Sequence, residues 1–64
     1  MANYTIKLKR SGQFFGGWDW EGKMIILPIN RSELKYRMQY PLATRTVEKI
    51  ENELGLECEI EKVA

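Results

Sequence analysis

Apolar and polar residues alternate from Tyr4 to Lys9, with Tyr4, Ile6 and Leu8 on one face and Thr5, Lys7 and Lys9 on the other. This is the pattern of a half-buried strand. Ser11-Gly12 is a turn signal, so the chain is expected to return as a hairpin through Gln13, Phe14 and Phe15. Gly16-Gly17 interrupts the returning strand and predicts a bulge or a bend. After Trp18-Asp19-Trp20 a second turn signal, Glu21-Gly22, leads into a β-branched run from Lys23 to Ile29. Pro28 lacks a backbone donor, which places it at the end of that strand or on a sheet edge.

Residues 30–32 read as a connection. Over Glu33–Tyr40, Leu34, Tyr36, Met38 and Tyr40 alternate as in a strand, while Leu34/Met38 and Tyr36/Tyr40 are also spaced as on a helix. The alternation and the two tyrosines favour a strand. Ala43, Val47, Ile50 and Leu54 recur at i, i+4, i+7 and i+11, a single apolar stripe that predicts an amphipathic helix over residues 43–54. Gly55 stands where a left-handed cap is needed, and Leu56 can fold back on the last turn. Leu56, Cys58 and Ile60 then alternate with Glu57, Glu59 and Glu61, giving a last strand with an acidic outer face. The order β-β-β-(β)-α-β predicts an α+β fold. An antiparallel-rich sheet of four or five strands carries one C-terminal amphipathic helix packed on one face.

Sixty-four residues make one domain, 1–64, and a chain this short buries only about 60% of the surface its unfolded form exposes. Cys58 is the single cysteine and there is no histidine. An internal disulfide and a tetrahedral zinc site are therefore excluded as staples. A packed core or self-association is left, and 44% hydrophobic residues make a core feasible. No apolar run approaches the roughly 20 residues of a membrane helix. The first residues lack the basic-then-apolar order of a signal peptide. With a lone thiol suited to a reducing compartment, the expected location is the cytoplasm, with no membrane partner.

Net charge is +1, but its distribution is uneven: residues 1–45 carry eight Lys/Arg against three acids, residues 46–64 two against six. If the first and last strands are neighbours, Lys7 and Lys9 lie beside Glu57, Glu59 and Glu61, and the asymmetry largely cancels inside the sheet.

The strand and glycine-containing hairpin from Tyr4 to Gly17 resemble the opening of small accessory proteins that tailed bacteriophages and prophages encode. So do the alanine-bearing helix and acidic-aliphatic strand between Tyr40 and Val63, with its ATRTVEKIENELGLECEIEKV segment. The resemblance is one of plan and covers most of the chain. Trp18, Trp20 and the KMIILPINRSELKYRMQY segment depart from it. It implies a mobile-element protein that acts by binding a host protein, and it carries over no functional residue.

Catalysis has little to stand on. General acid–base chemistry near neutral pH most often uses histidine, and Cys58 on the apolar side of a strand reads as an inert thiol. Asp19 with Glu21 reads as a solvated turn, and the three glutamates of the last strand as partners of lysines. Gly16-Gly17 is followed by neither the lysine-serine pair nor the helix start of a phosphate loop. No enzyme activity, metal or cofactor is expected.

Binding is the stronger expectation. Phe14, Phe15, Trp18 and Trp20 crowd four large aromatics around two glycines, more than the narrow helix stripe covers, so one or two are expected at the surface. Tryptophan, tyrosine and arginine dominate interface energetics, and Arg37 and Tyr40 join the candidate contact set for a host protein. A rival reading is a nucleic-acid-binding domain using Lys7, Arg10, Lys35, Arg37 and Arg45 by phosphate contact and stacking. Strict alternation turns Lys35 and Arg37 away from Tyr36 and Tyr40, and +1 is a low charge for that role. Homodimerisation is compatible with either.

Overall fold

A computed structural model describes residues 3–63, the side chain of Ser32 apart. Four strands and one helix follow one another: β1 (Asn3–Leu8), β2 (Phe14–Trp18), β3 (Met24–Leu27), α1 (Tyr40–Leu54) and β4 (Cys58–Val63). The strands form one antiparallel sheet in the order β3-β2-β1-β4. The fold is α+β, as the sequence predicts, with the helix lying between strands in the chain and the last strand after it. The single-domain expectation for 1–64 extends to Met1, Ala2 and Ala64, which lie outside the described residues.

Both turn signals close hairpins. Between β1 and β2 the Leu8 N–H donates to the Gln13 carbonyl (2.8 Å), and Gly12, at φ 74°, returns its N–H to the Leu8 carbonyl (2.9 Å). Between β2 and β3 the Gly22 N–H closes a four-residue turn on the Asp19 carbonyl (2.9 Å). The Asp19 carboxylate accepts from the N–H groups of Glu21 (2.9 Å) and Lys23 (2.8 Å). That acid therefore serves the turn, as aspartate does where its side chain mimics a backbone acceptor.

The predicted bulge lies at Gly16-Gly17, where Phe15 pairs with Ile26 but Trp18 with Met24. Gly17 takes φ 101°, and a Cβ there would stand 3.2 Å from Cδ2 of Tyr36. A Cβ on Gly16 would meet Ile25 and Leu27 at 3.0 Å. Both glycines are thus required, one by conformation and one by crowding.

Residues 33–40 do not form the fourth strand that the alternation suggests. A 3-10 stretch covers Ile29–Leu34, and only Met38 pairs, in a single antiparallel bridge to Tyr4. The reason is a wedge: β1 and β2 diverge beyond their hairpin. The gap between them is filled by Met38, bonded twice to Tyr4 (2.7 and 2.8 Å), and by Tyr36, whose N–H donates to the Phe15 carbonyl (3.0 Å).

The helix starts at Tyr40 rather than 43, because Pro41 occupies its first turn. There a fixed φ and a missing N–H cost nothing. It ends as predicted on Gly55 (φ 67°), whose N–H donates to the Glu51 carbonyl (3.1 Å). Ala43, Thr46 and Ile50 are buried beneath it against Ile6, Leu8, Phe15, Met38 and Cys58. The buried stripe thus runs through Thr46, and Leu54, predicted to continue it, is half exposed.

On the opposite face Lys7 pairs with Glu59 and Thr5 with Glu61, and the Lys7 ammonium lies 3.8 Å from Glu61. The first and last strands are neighbours as expected, and of the expected charge pairs the structure shows Lys7 with Glu61. Exposed pairs of this kind contribute at most about 1 kcal/mol.

Candidate functional site

The helix lies over β1 and β4 and does not reach over β2 and β3. On that uncovered half an open groove of about 560 Å³ runs between the C-terminal half of α1 and β3. Trp18, Met24, Ile26, Leu54 and Leu56 give it apolar walls, and Lys23, Lys49 and Glu53 stand at its margin. The Lys49 ammonium sits 4.7 Å from the centroid of the Trp18 ring, holding that indole against the helix by a cation–π contact. A second hollow, about 350 Å³, shares Ile26 and Leu56 with the groove and extends it towards Arg10 and Glu57.

The four aromatics singled out in the sequence have different places. Phe15 is 1% exposed and belongs to the core, edge-on to Trp18 (5.3 Å) and Tyr36 (5.7 Å). Phe14 is half-buried on the far face, its ring under the ammonium groups of Lys35 (4.8 Å) and Lys7 (6.0 Å). Trp18 is 36% exposed at the groove, and Trp20, on the β2–β3 turn, is 93% exposed. Trp18 and Trp20 are thus at the surface, and Phe15 is unavailable to a partner. Tyr40 is half exposed and packs edge-on against Tyr4 (5.1 Å), and Arg37 is exposed.

The basic set is divided between the two layers. Lys7 and Lys35 flank Phe14 on the far face of the sheet, and Lys7 is already engaged by Glu61. Arg45 is exposed on the helix and Arg10 lies in the β1–β2 loop. Cys58 is buried in the core, and burial first, then the Glu51 carboxylate, push its thiol above the ordinary value, with Lys9 opposing.

Sequence reasoning passes over Met24, Ile26, Lys49, Leu54 and Leu56 as site residues. The signal was present in β3, which is apolar at four consecutive positions and so cannot bury both faces under one helix. No helix among the described residues is long and apolar enough to cross a membrane.

Sheet, helix and groove define a small α+β domain with one layer of its sheet half covered. No protein-family model, no curated protein and no solved structure matches the chain.

Proposed function

We propose that this protein is a non-catalytic protein–protein binding module whose contact face is the groove between α1 and β3 with Trp20 beside it. The observation that carries this reading is the uncovered half of the sheet, where Trp18, Met24, Ile26, Leu54 and Leu56 line one concave surface. Contiguous apolar surface of this kind marks interaction sites, and a buried aromatic anchor within a polar rim is the usual energetic centre of one. The partner segment is apolar with an acidic residue, so that it fills the groove and meets Lys23 and Lys49. The resemblance of plan to phage accessory proteins extends the reading to a host protein as partner, inhibited or modulated by the contact.

The absence of catalysis is supported by the lack of histidine and by the burial of Cys58. The nucleic-acid reading has less support, because its basic residues are divided between opposite layers. Capture from a bacterial lysate on the immobilised protein tests the proposal. Partners retained by wild type and by Glu59→Gln, but lost with Trp20→Ala and Leu54→Asp, are the expected result. Equal retention by all four forms, or salt-sensitive retention of nucleic acid alone, rejects it.

A further inference from the structure

The sheet has two edges of opposite character. β4 carries Glu59, Glu61 and Lys62, the charges that commonly block edge-to-edge pairing. β3, Met24-Ile25-Ile26-Leu27, carries no charge, and Ile25 and Ile26 are 38% and 40% exposed. Its ladder to β2 fixes which backbone groups are unpaired. The Lys23 carbonyl accepts from the Asp19 N–H (2.8 Å) and so points inward. By the alternation of an antiparallel ladder Ile25 and Leu27 also point inward, and Met24, Ile26 and Pro28 point outward. Pro28 has no N–H, and its carbonyl already accepts from Arg31 (2.9 Å). The free groups of the edge are therefore the N–H and C=O of Met24 and of Ile26.

We propose that β3 pairs with β3 of a second copy about a two-fold axis through Ile25, joining two sheets of four strands into one of eight. One register satisfies every free group: Met24 pairs with Ile26 of the other copy, Ile26 with Met24, and Ile25 faces Ile25. Shifting the register by two residues sets Met24 opposite Pro28 in one direction, and in the other sets Ile26 opposite Gly22, whose N–H is already bonded to the Asp19 carbonyl, so either shift loses bonds.

The ends of the strand fit the same symmetry. Antiparallel pairing brings the 19–22 turn of one copy beside Ile29–Arg31 of the other. Trp20 (93% exposed) then meets Ile29 (65% exposed), and Asp19 and Glu21 meet Arg31, each contact made twice. The two grooves also become neighbours, with Met24 and Ile26 of both copies as one apolar floor between two helices. The inference rests on the reading of this face as an interaction surface, and it gives that surface a second wall.

A four-residue ladder with two flanking contacts is small among specific interfaces and belongs with the weak ones, for which we take a dissociation constant on the order of 10 μM. Light scattering from about 1 μM to about 1 mM, concentrations that bracket that constant, is expected to show mass rising from 7.5 kDa towards twice that value. Ile25→Lys sets two ammonium groups face to face on the axis and is expected to weaken the dimer more than tenfold. Trp20→Ala, on a side chain that no core contact uses, is expected to weaken it severalfold without touching the fold. Hydrogen exchange at Met24 and Ile26 is expected to slow with concentration, while Ile25 and Leu27 do not change. A constant 7.5 kDa mass overturns the dimer and leaves the groove's capture of another protein to be judged by Leu54→Asp and Trp20→Ala in the lysate assay. A dimer that Ile25→Lys does not weaken also overturns it.

Discussion

Thr5 and Thr46 are both buried, and the same substitution is expected to act on them with opposite sign. The Thr5 hydroxyl has no hydrogen-bond partner among the described residues and no solvent contact. The Thr46 hydroxyl donates to the Leu42 carbonyl at 2.8 Å, with the Met38 sulfur more distant at 3.8 Å. A hydroxyl buried without a partner costs about 1–3 kcal/mol on protein mutational scales. Valine has nearly the same shape, fits a strand at least as well, and adds about 0.8 kcal/mol for the methyl that replaces the hydroxyl. Thr5→Val is therefore expected to stabilise the fold by about 1–2 kcal/mol, which in a chain this short raises Tm by roughly 5–15 °C. Thr46→Val loses a made bond worth about 0.5–1.5 kcal/mol. The Leu42 carbonyl still accepts the helical N–H, and the new methyl recovers part of the loss, so a decrease below about 1 kcal/mol is expected. Urea and thermal unfolding of both variants beside wild type measure the difference. A Thr5→Val protein less stable than wild type would refute the reasoning, since it would mean that the hydroxyl is bonded.

Phe15→Ala removes the largest fully buried side chain and is expected to cost about 3–5 kcal/mol. Total stability for 64 residues is roughly 3–10 kcal/mol, so circular dichroism should show a protein at or near unfolding. Gly17→Ala combines φ 101° with a 3.2 Å approach to Tyr36 and is expected to cost about 2–3 kcal/mol in denaturant titration. Gly55→Ala, at φ 67° with nothing within 4 Å, is expected to cost about 1 kcal/mol in the same assay. The Cys58 thiol is held neutral by burial, its pKa raised in the folded state above 9.0. Its contribution is therefore complete below pH 9.0 and lost as pH rises through the higher folded value, which stability measured from pH 7 upward in wild type and Cys58→Ala will show. Trp20→Ala is expected to leave unfolding within about 0.5 kcal/mol of wild type, because the indole is 93% exposed.

Local patterns carried most of the fold. The alternation of β1, the Ser11-Gly12 and Glu21-Gly22 turns, the Gly16-Gly17 bulge, Pro28 at a strand end and Gly55 as a cap are each decided by a few neighbouring residues. Residues 33–40 were not legible in that way. Their alternation is real, but the place they occupy is set by the divergence of β1 and β2, a property of distant segments. The helix start was hidden because Pro41 and Tyr40 interrupt the apolar stripe although their backbone is helical. Of the candidate contact residues, Trp18 and Trp20 are where an excess of aromatics over core capacity would put them. Phe15 is not, since alternation along β2 cannot say which of Phe14 and Phe15 faces the helix. The groove needed the sheet order, which tells that Leu54 and Leu56 overlook Met24 and Ile26.

The dimensions of the layers explain why such a groove exists. A helix with its side chains is about 10–12 Å across, and neighbouring strands are about 4.8 Å apart, so one helix covers two strands and part of a third. Here α1 lies over β1 and β4, the pair joined by the longest ladder, and β2 and β3 are left beside it. Phe15 escapes exposure by tucking under the edge of the helix layer against Trp18 and Tyr36, whereas Met24 packs only partly against the core and Ile26 is 40% exposed, both facing the groove beside the Lys49–Trp18 contact. A polar β3 would have made this harmless, as the glutamates do on β4. The chain instead keeps β3 apolar on both faces, limits it to four residues and ends it with Pro28. Short length and a terminal proline restrict open-ended edge pairing, so the arrangement admits one finite contact rather than a growing stack. Any further cover for Met24 and Ile26 must come from outside the described residues, and for that reason the binding proposal follows from the geometry of the layers rather than from a motif.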